Sequence, residues 1–175
     1  MSTSALHASS SNSWQSLVSR TLEEVKSKIQ QEKPDLLTKT FLEPLWFFHI
    51  TGPVSWELIE VWLKSEDHRS QIADICRKDL KDITRDCVDS GAVFMCLRVE
   101  KPSQIPRPVP DKTLVFIGLE RLNTATGMFN GVDLPSGGSA IISGDKAQDF
   151  AGGYNGGGLG IVLRIKFKSA ETGEA

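Results

Sequence analysis

The chain has 175 residues, a hydrophobic content of 39%, a charged content of 24% and a formal net charge of −2. This length suits one domain with an appendage. The slightly acidic balance argues against sequence-specific or wholesale nucleic-acid binding, which goes with a strongly basic domain. The cysteines are Cys76, Cys87 and Cys96, and this odd, sparse set fits a reducing compartment rather than a secreted disulfide framework.

The first segment in chain order is a serine-rich stretch, residues 1–12, which we expect to be disordered because it contains few apolar residues. It shows neither the apolar region of a secretion signal nor a myristoylation site, and no apolar run along the chain reaches the ~20 residues of a membrane span. We therefore expect a cytoplasmic protein whose contact with membrane, if any, is peripheral.

An amphipathic helix is predicted over residues 13–33, where Pro34 stops it. Its apolar stripe comprises Trp14, Leu17, Val18, Leu22, Val25 and Ile29. If this helix does not pack on its own domain, the stripe is a partner-binding surface. The first four residues of the stripe are then the candidates for self-association.

A single domain is predicted over residues 36–168, and its helices come early. The run from Leu45 to Ile50 is apolar on both faces and is interpreted as a buried strand. A helix from Ser55 to Lys64 follows, and a third helix is predicted from about Arg69 to Val88. On that third helix Cys76 and Cys87 would lie about 16 Å apart, which is too far for a disulfide.

The later part of the domain is rich in strands. They are predicted over residues 92–101, 113–122, 139–143 and 159–168. The last of these alternates apolar and polar residues, which is typical of an antiparallel sheet with one wet face. The segregation of early helices from late strands predicts an α+β fold, with an antiparallel sheet of four to five strands and about three helices. Residues 101–112, rich in proline, are predicted to be an extended connection, and residues 169–175 a flexible tail.

Eleven of the fifteen glycines lie between Gly127 and Gly160. A dinucleotide fingerprint would open a helix, whereas this cluster leads into a strand, and no Walker lysine accompanies it. We interpret residues 127–160 as mobile loops between antiparallel strands, with conformational freedom at an interface as their use.

No residue pattern predicts a catalytic site, a metal site or a cofactor. The histidines, His7, His49 and His68, have no metal-ligand partners at a useful spacing. An enzyme that uses Asp145 or Asp149 together with His49 is the least favoured hypothesis. The aspartates of the glycine-rich region, Asp133 included, are interpreted as turn residues.

Basic residues form a second candidate surface. Arg164, Lys166 and Lys168 share the polar face of the last predicted strand, and Arg107 and Lys112 belong to the proline-rich segment. The strand residues are ordinarily a solvated face or a guard against edge-to-edge aggregation. All five are also candidates for contact with phosphate or anionic lipid, at roughly 1 kcal/mol per cation.

The order of elements resembles that of rhabdovirus matrix proteins, particularly the short ones of plant-infecting, cytorhabdovirus-like members. The matching features are the polar tail, the strand Leu45-Trp46-Phe47-Phe48-His49-Ile50, the Gly52-Pro53 turn, the helix after it, and the strands at 93–99 and 159–168. The resemblance implies a structural role in the virion and the host cytoplasm. That role combines self-association, condensation of the nucleocapsid through the viral nucleoprotein, and attachment to an anionic membrane surface.

Two functions follow as expectations. The first is a non-enzymatic, matrix-like assembly protein that acts through its surfaces and forms homo-oligomers. The alternative is an intracellular α+β binding module for a small ligand or a host protein, with its pocket beside the glycine-rich segment.

Overall fold

The computed structural model describes residues 12–41, 45–50, 52–100, 104–107, 113–129, 133–143 and 148–167. Its helices are α1 (Asn12–Glu32), α2 (Asp35–Thr38), α3 (Pro53–Lys64) and α4 (Glu66–Cys76). Its strands are β1 (Leu45–His49), β2 (Val88–Cys96), β3 (Gln104–Arg107), β4 (Thr113–Gly118), β5 (Gly127–Phe129), β6 (Ser139–Ser143), β7 (Gln148–Gly152) and β8 (Gly158–Ile165).

Five of these strands form one antiparallel sheet in the order β1-β2-β8-β4-β6. The last strand in the chain, β8, is the central one, and its Leu163 lies between Gly91 of β2 and Val115 of β4. The predicted fold class, an α+β protein with an antiparallel sheet, is therefore confirmed. A second sheet of three strands, in the order β3-β7-β5, was not predicted.

The core lies on both faces of the main sheet. Helices α1, α3 and α4 cover one face, where Val93, Met95, Ile161 and Leu163 are buried. The opposite face has a smaller core that includes Phe94, Cys96, Leu114, Phe116, Leu122 and Leu134. The strand β8 contributes apolar side chains to the first core along its whole length, since Leu159, Ile161, Leu163 and Ile165 are all buried there, as its alternation predicted.

The amphipathic helix is confirmed, but its stripe is not a free surface. Of the self-association candidates, Trp14, Leu17 and Val18 are buried in the chain's own core, with Val18 only 1% exposed, and Leu22 packs against them. The Trp14 Nε1–H also donates a hydrogen bond of 2.9 Å to the Gly137 carbonyl oxygen. The condition for partner binding through this stripe is thus not met, because the sheet face already supplies the apolar surface that the stripe needs. The helix begins at Asn12, within the predicted tail; residues 1–11 lie outside the described part of the chain.

A carboxylate of α1 joins this helix to the start of α3. Glu24 accepts hydrogen bonds of 2.9 Å from the backbone N–H groups of Val54 and Ser55, and one of 2.6 Å from the Ser55 hydroxyl. The first N–H groups of a helix have no partner within the helix, and a carboxylate there is also favoured by the helix dipole. Glu24 therefore fixes the position of α3 relative to α1.

The third predicted helix is wrong at both ends. Ser65 caps α4 by accepting a hydrogen bond from the His68 N–H, so the helix starts at Glu66, three residues earlier than predicted. It stops at Cys76 because Arg77 adopts a left-handed conformation with φ of 53°, which closes the last turn. Two short 3-10 turns, Leu80–Asp82 and Arg85–Cys87, then lead into β2.

The early end of α4 also removes the argument that Cys76 and Cys87 lie too far apart on one helix to form a disulfide. Cys76 and Cys87 do not lie on one continuous helix, so the 16 Å estimate of their separation does not apply. All three cysteines are free; Cys87 and Cys96 are buried, and the half-buried Cys76 has its Sγ 3.2 Å from the Thr113 Oγ1. We interpret Cys87 and Cys96 as small residues of the core.

The proline-rich segment contains a strand instead of serving only as a connection. Residues 104–107 form β3, which pairs with β7 at the edge of the second sheet. Pro106 is tolerated there because an edge strand leaves half of its N–H groups outside the ladder.

Candidate interaction surface at the sheet edge

The apolar run from Leu45 to Ile50 predicted a strand buried on both faces. This prediction is wrong for β1. The strand is the edge strand of the main sheet, with Leu45 buried but Trp46 38% and Phe47 40% exposed. Successive residues of a strand point to opposite faces, so the two exposed aromatic side chains lie on opposite sides of this edge. Large apolar side chains on an edge strand are unusual for a protein that acts alone, because edges invite association.

The last turn of α1 approaches this edge and forms a groove with it. We call it the lysine–aromatic groove; its volume is about 150 Å³ and its lining comprises Lys28, Ile29, Glu32, Lys33, Leu36, Trp46, Phe47 and Phe48. The ammonium group of Lys33 lies 5.8 Å from the centre of the Trp46 ring, and that of Lys28 lies 5.5 Å from the centre of the Phe48 ring. Such cation–π contacts hold positive charge directly over the apolar side chains.

Sequence reasoning missed this groove. The aromatic run was interpreted as a buried strand, and neither Lys28 nor Lys33 was among the candidate cations. A usable signal was present: the three consecutive aromatic residues Trp46 to Phe48 point to both faces of a strand, so all three are buried only if both faces are covered.

A larger cleft of about 240 Å³ lies on the other side of Lys28, where α1, β1 and the start of α3 meet. Its polar lining includes Glu24, Ser27, Lys28, Gln31, His49 and Ser55. His49 is exposed here, at the end of the edge strand, so it is an edge residue and not a core residue. The Glu24 carboxylate already accepts hydrogen bonds from the first N–H groups of α3 at this cleft, so these groups are not available to a bound anion.

The glycine-rich segment forms strands and hydrogen-bonded turns where the structure describes it. Its N–H groups are engaged: that of Gly156 with the Gly153 carbonyl at 3.1 Å, that of Gly157 with Cys96 at 2.8 Å and that of Gly158 with Thr126 at 3.2 Å. A phosphate cradle needs N–H groups that converge on open space. The exclusion of a phosphate cradle therefore agrees with these contacts, whereas the interpretation as loops is wrong for β5 and β7, which are strands.

The cleft beside these glycines is small, about 120 Å³, and an ion pair between Lys26 and Glu120 spans part of its lining. Arg98 and Asn155 also line it, and the Arg98 Nε–H donates a hydrogen bond of 3.2 Å to the Asn155 carbonyl. Pockets for drug-sized ligands usually exceed ~300 Å³. This cleft is therefore too small for the ligand pocket expected beside the glycines.

Of the five candidate cations, the structure describes the side chains of Arg164 and Lys166. Arg164 and Lys166 are exposed at the end of β8. Only the backbone of Arg107 is described, in β3, and Lys112 and Lys168 lie outside the described residues. Arg164 and Lys166 are exposed as predicted, but the prediction of a wet sheet face is wrong nearby, because the smaller core covers that face and Val162 packs against it. The remaining positions stay predictions.

His68 and Asp133, two residues considered for chemistry, each contact a neighbouring residue of the fold. His68 lies in the first turn of α4 and not in a loop; its ring stacks on Trp62 at 4.3 Å, and its Nδ1 is 3.0 Å from the Trp62 carbonyl oxygen. Burial lowers the pKa of His68, against the opposing effects of that hydrogen bond and of Asp67. Asp133 pairs with Arg121 at 2.9 Å on the surface. The side chains of Asp145 and Asp149 lie outside the described residues, so their suggested role with His49 stays untested.

The buried cysteines are expected to resist thiol reagents. Burial raises the pKa of Cys96 to about 12 and also raises that of Cys87, and the thiolate is the reactive species. At pH 8, a colorimetric disulfide reagent should modify about one thiol per native chain, Cys76, and all three after unfolding. A native Cys76→Ser variant should show no fast reaction; rapid modification of that variant would contradict the burial of the other two.

Among the described residues, no group of three or more histidine, cysteine or acidic side chains could hold a metal ion. The described helices likewise include none with the length and apolar character needed to cross a membrane. Comparison with protein-family models and with curated protein sequences gives no match.

Proposed function

We propose that the chain is a non-enzymatic, matrix-like assembly protein that associates with itself and bridges a nucleocapsid to an anionic membrane surface. The observation that carries the proposal is the edge strand β1, which exposes Trp46 on one face, beneath Lys33, and Phe47 on the other. Exposed apolar surface on an edge strand favours association. Aromatic side chains are also enriched at protein interfaces, where they contribute most of the binding energy.

The same side chains suit a membrane surface. Tryptophan partitions to the boundary between headgroups and acyl chains, and each lysine near an anionic surface contributes about 1 kcal/mol. The nucleocapsid is proposed as a partner because the order of elements resembles that of rhabdovirus matrix proteins. This resemblance supports the role and does not assign it to particular residues.

Self-association should weaken when the edge loses an aromatic side chain. We expect Phe47→Ser to raise the concentration of half-association at least tenfold, because it removes exposed apolar surface without emptying a core site. Multi-angle light scattering over a concentration series measures this, and co-sedimentation with phosphatidylserine vesicles at low and high salt measures attachment. Tyr154→Ser is the matched control, since Tyr154 is 62% exposed on the loop before β8. A wild-type chain that stays monomeric at every concentration and binds neither vesicles nor RNA would contradict the proposal.

The alternative is an intracellular binding module for a small ligand or a host protein. Its candidate site is the 240 Å³ cleft at the start of α3 and not the smaller cleft beside the glycines, and this volume suits a ligand smaller than a drug-sized one. Its lining mixes apolar side chains with Lys28, His49 and Gln31, as small ligand sites do. Native mass spectrometry of the purified chain tests it: a bound metabolite that is lost in a His49→Ala variant supports this alternative, and a bare chain argues against it.

A further inference from the structure

We propose that the 240 Å³ cleft between α1, the end of β1 and the start of α3 binds a small zwitterion with an aliphatic side chain, namely a free α-amino acid of the size of leucine. The inference rests on the alternative function, the binding module for a small ligand, and it holds whether or not copies of the chain associate. Three features of the cleft carry it: its volume, its buried apolar floor, and one charge of each sign on its α1 wall.

The floor of the cleft is apolar and buried. Val25 of α1 is 3% exposed, Val93 of β2 is 1% exposed and Ile50 is 8% exposed, and all three line the cleft. A volume of about 240 Å³ holds about eight waters at roughly 30 Å³ each, so it suits a molecule of about that number of non-hydrogen atoms. An aliphatic side chain on this floor would remove apolar surface of both partners from water, which favours binding.

Glu24 supplies a negative charge with one acceptor position left. A carboxylate has about four lone-pair sites, and those of Glu24 accept from the Val54 N–H, the Ser55 N–H and the Ser55 hydroxyl. Partial burial acts to raise the pKa of Glu24, but these hydrogen bonds and the charge of Arg20 outweigh it, so the pKa lies below 4.5 and the group is charged at pH 7. The remaining site can accept a hydrogen bond from a ligand ammonium group.

Lys28 supplies the positive charge, one helical turn further along α1. Residues four apart on a helix have Cβ atoms about 5–6 Å apart on one face, and both Glu24 and Lys28 line the cleft. The Lys28 ammonium group lies 5.5 Å from the centre of the Phe48 ring, which also lines the cleft. The ammonium and carboxylate groups of an α-amino acid share one carbon atom, so they can reach two opposite charges that are a single turn apart.

The two charges also select against ligands that carry only one. A simple acid would bring its carboxylate to Lys28 but would place it close to the like charge of Glu24, and a simple amine would meet Lys28 in the same way. Charge-assisted hydrogen bonds are stronger than neutral ones, and like charges at a contact cost affinity. The site should therefore prefer the zwitterion to either analogue.

Titration of the wild-type chain with four compounds, monitored by heteronuclear NMR, tests the ligand class. The compounds are L-leucine, isocaproate without the ammonium group, isoamylamine without the carboxylate, and glycine without the side chain. We expect L-leucine to bind with a dissociation constant of about 1 mM or lower and to shift the N–H resonances of Ser27, His49 and Val54. Each of the other three compounds should bind about fivefold more weakly, or worse.

A Lys28→Gln variant separates the two charges. It should bind L-leucine about fivefold more weakly, because the carboxylate of the ligand loses its partner. It should bind isoamylamine at least as tightly as the wild type does, because that compound has no carboxylate. Lys39→Gln is the matched control and should leave both affinities unchanged, since Lys39 is a surface lysine that pairs with Asp35 outside the cleft. Circular dichroism verifies the fold of both variants.

Three results would overturn the inference: isocaproate that binds as tightly as L-leucine, an affinity for L-leucine that Lys28→Gln does not change, or no binding of any of the four compounds at about 10 mM. The alternative function has a separate readout, because a metabolite of another class that is retained in native mass spectrometry and lost in His49→Ala would still identify a binding module. A chain that binds none of the compounds and retains no metabolite would remove both.

Discussion

Replacing Gly160 with alanine is expected to lower the free energy of unfolding by about 3 kcal/mol, at the upper end of the usual cost of overpacking a core. Gly160 is the third residue of β8 and lies opposite Phe94 of β2. A Cβ at this position would lie 2.8 Å from the carbonyl oxygen of Ile117 and would overlap the edge of the Phe94 ring. The ring has little freedom to move, because it also makes an edge-to-face contact with Phe116 at 5.8 Å.

Urea denaturation of four proteins tests this explanation: the wild type, Gly160→Ala, Phe94→Ala and the double variant. Phe94→Ala alone should cost about 3–5 kcal/mol, since it leaves a cavity in the smaller core. In that background the added cost of Gly160→Ala should fall to less than half, because the ring that it clashes with is gone. Strictly additive losses would show that Phe94 is not the obstacle.

The role of Gly160 shows where sequence reasoning about the glycines failed. A cluster of glycines reports that side chains are excluded, but a mobile loop and a tightly packed crossing of strands exclude them equally. Deciding between the two needs the neighbour across the strand, here Phe94, which lies 66 residues earlier in the chain. The second sheet was missed for the same reason, since β3 and β5 each pair with β7 across long stretches of sequence.

Local patterns did predict those elements in which the spacing of apolar residues along the chain shows the type of element. The alternation of β8 and the stripe of α1 gave the correct type and nearly the correct bounds. The third predicted helix failed because its apolar spacing continues through Ile83 and Cys87, which are buried although the helix stops at Cys76. Burial of a residue at helical spacing does not require a helix, and the left-handed Arg77 carries no sequence signal such as glycine.

The candidate site is formed by the order of the strands in the sheet, and no local sequence pattern shows this order. The residues Trp46 to Phe48 are apolar whether β1 is central or at an edge, and only the pairing of β2 with β8 on its other side makes β1 an edge. The lysines join the site because α1 crosses the sheet and ends beside that edge. A surface of this kind is assembled by topology, so its members, unlike those of a phosphate loop, have no fixed spacing along the chain.

Replacing Glu24 with glutamine is expected to cost about 2 kcal/mol at pH 7, within the range for helix caps and for hydrogen bonds to a charged group. The two oxygens of the carboxylate accept from three donors, the N–H groups of Val54 and Ser55 and the Ser55 hydroxyl. A glutamine amide keeps one acceptor and turns the other into a donor, which would face one of these N–H groups. Urea denaturation at pH 7 measures the loss, and Glu23→Gln is the matched control because Glu23 is exposed on the same turn of α1.

The cost of Glu24→Gln should also depend on pH in a defined direction. Partial burial acts to raise the pKa of Glu24, but the hydrogen bonds from Ser55 and Val54 and the charge of Arg20 outweigh it, so the pKa lies below its ordinary value of 4.5. A carboxyl group with a lowered pKa in the folded state stabilises the fold fully above its unfolded pKa, and this contribution is lost as the pH falls through the folded value. The difference in unfolding free energy between wild type and Glu24→Gln should therefore be constant from pH 7 to about pH 5 and shrink below about pH 4.5. A difference that stays the same down to pH 3 would mean that the charge of Glu24 does not hold α1 to α3, and that the apolar contacts between the two helices suffice.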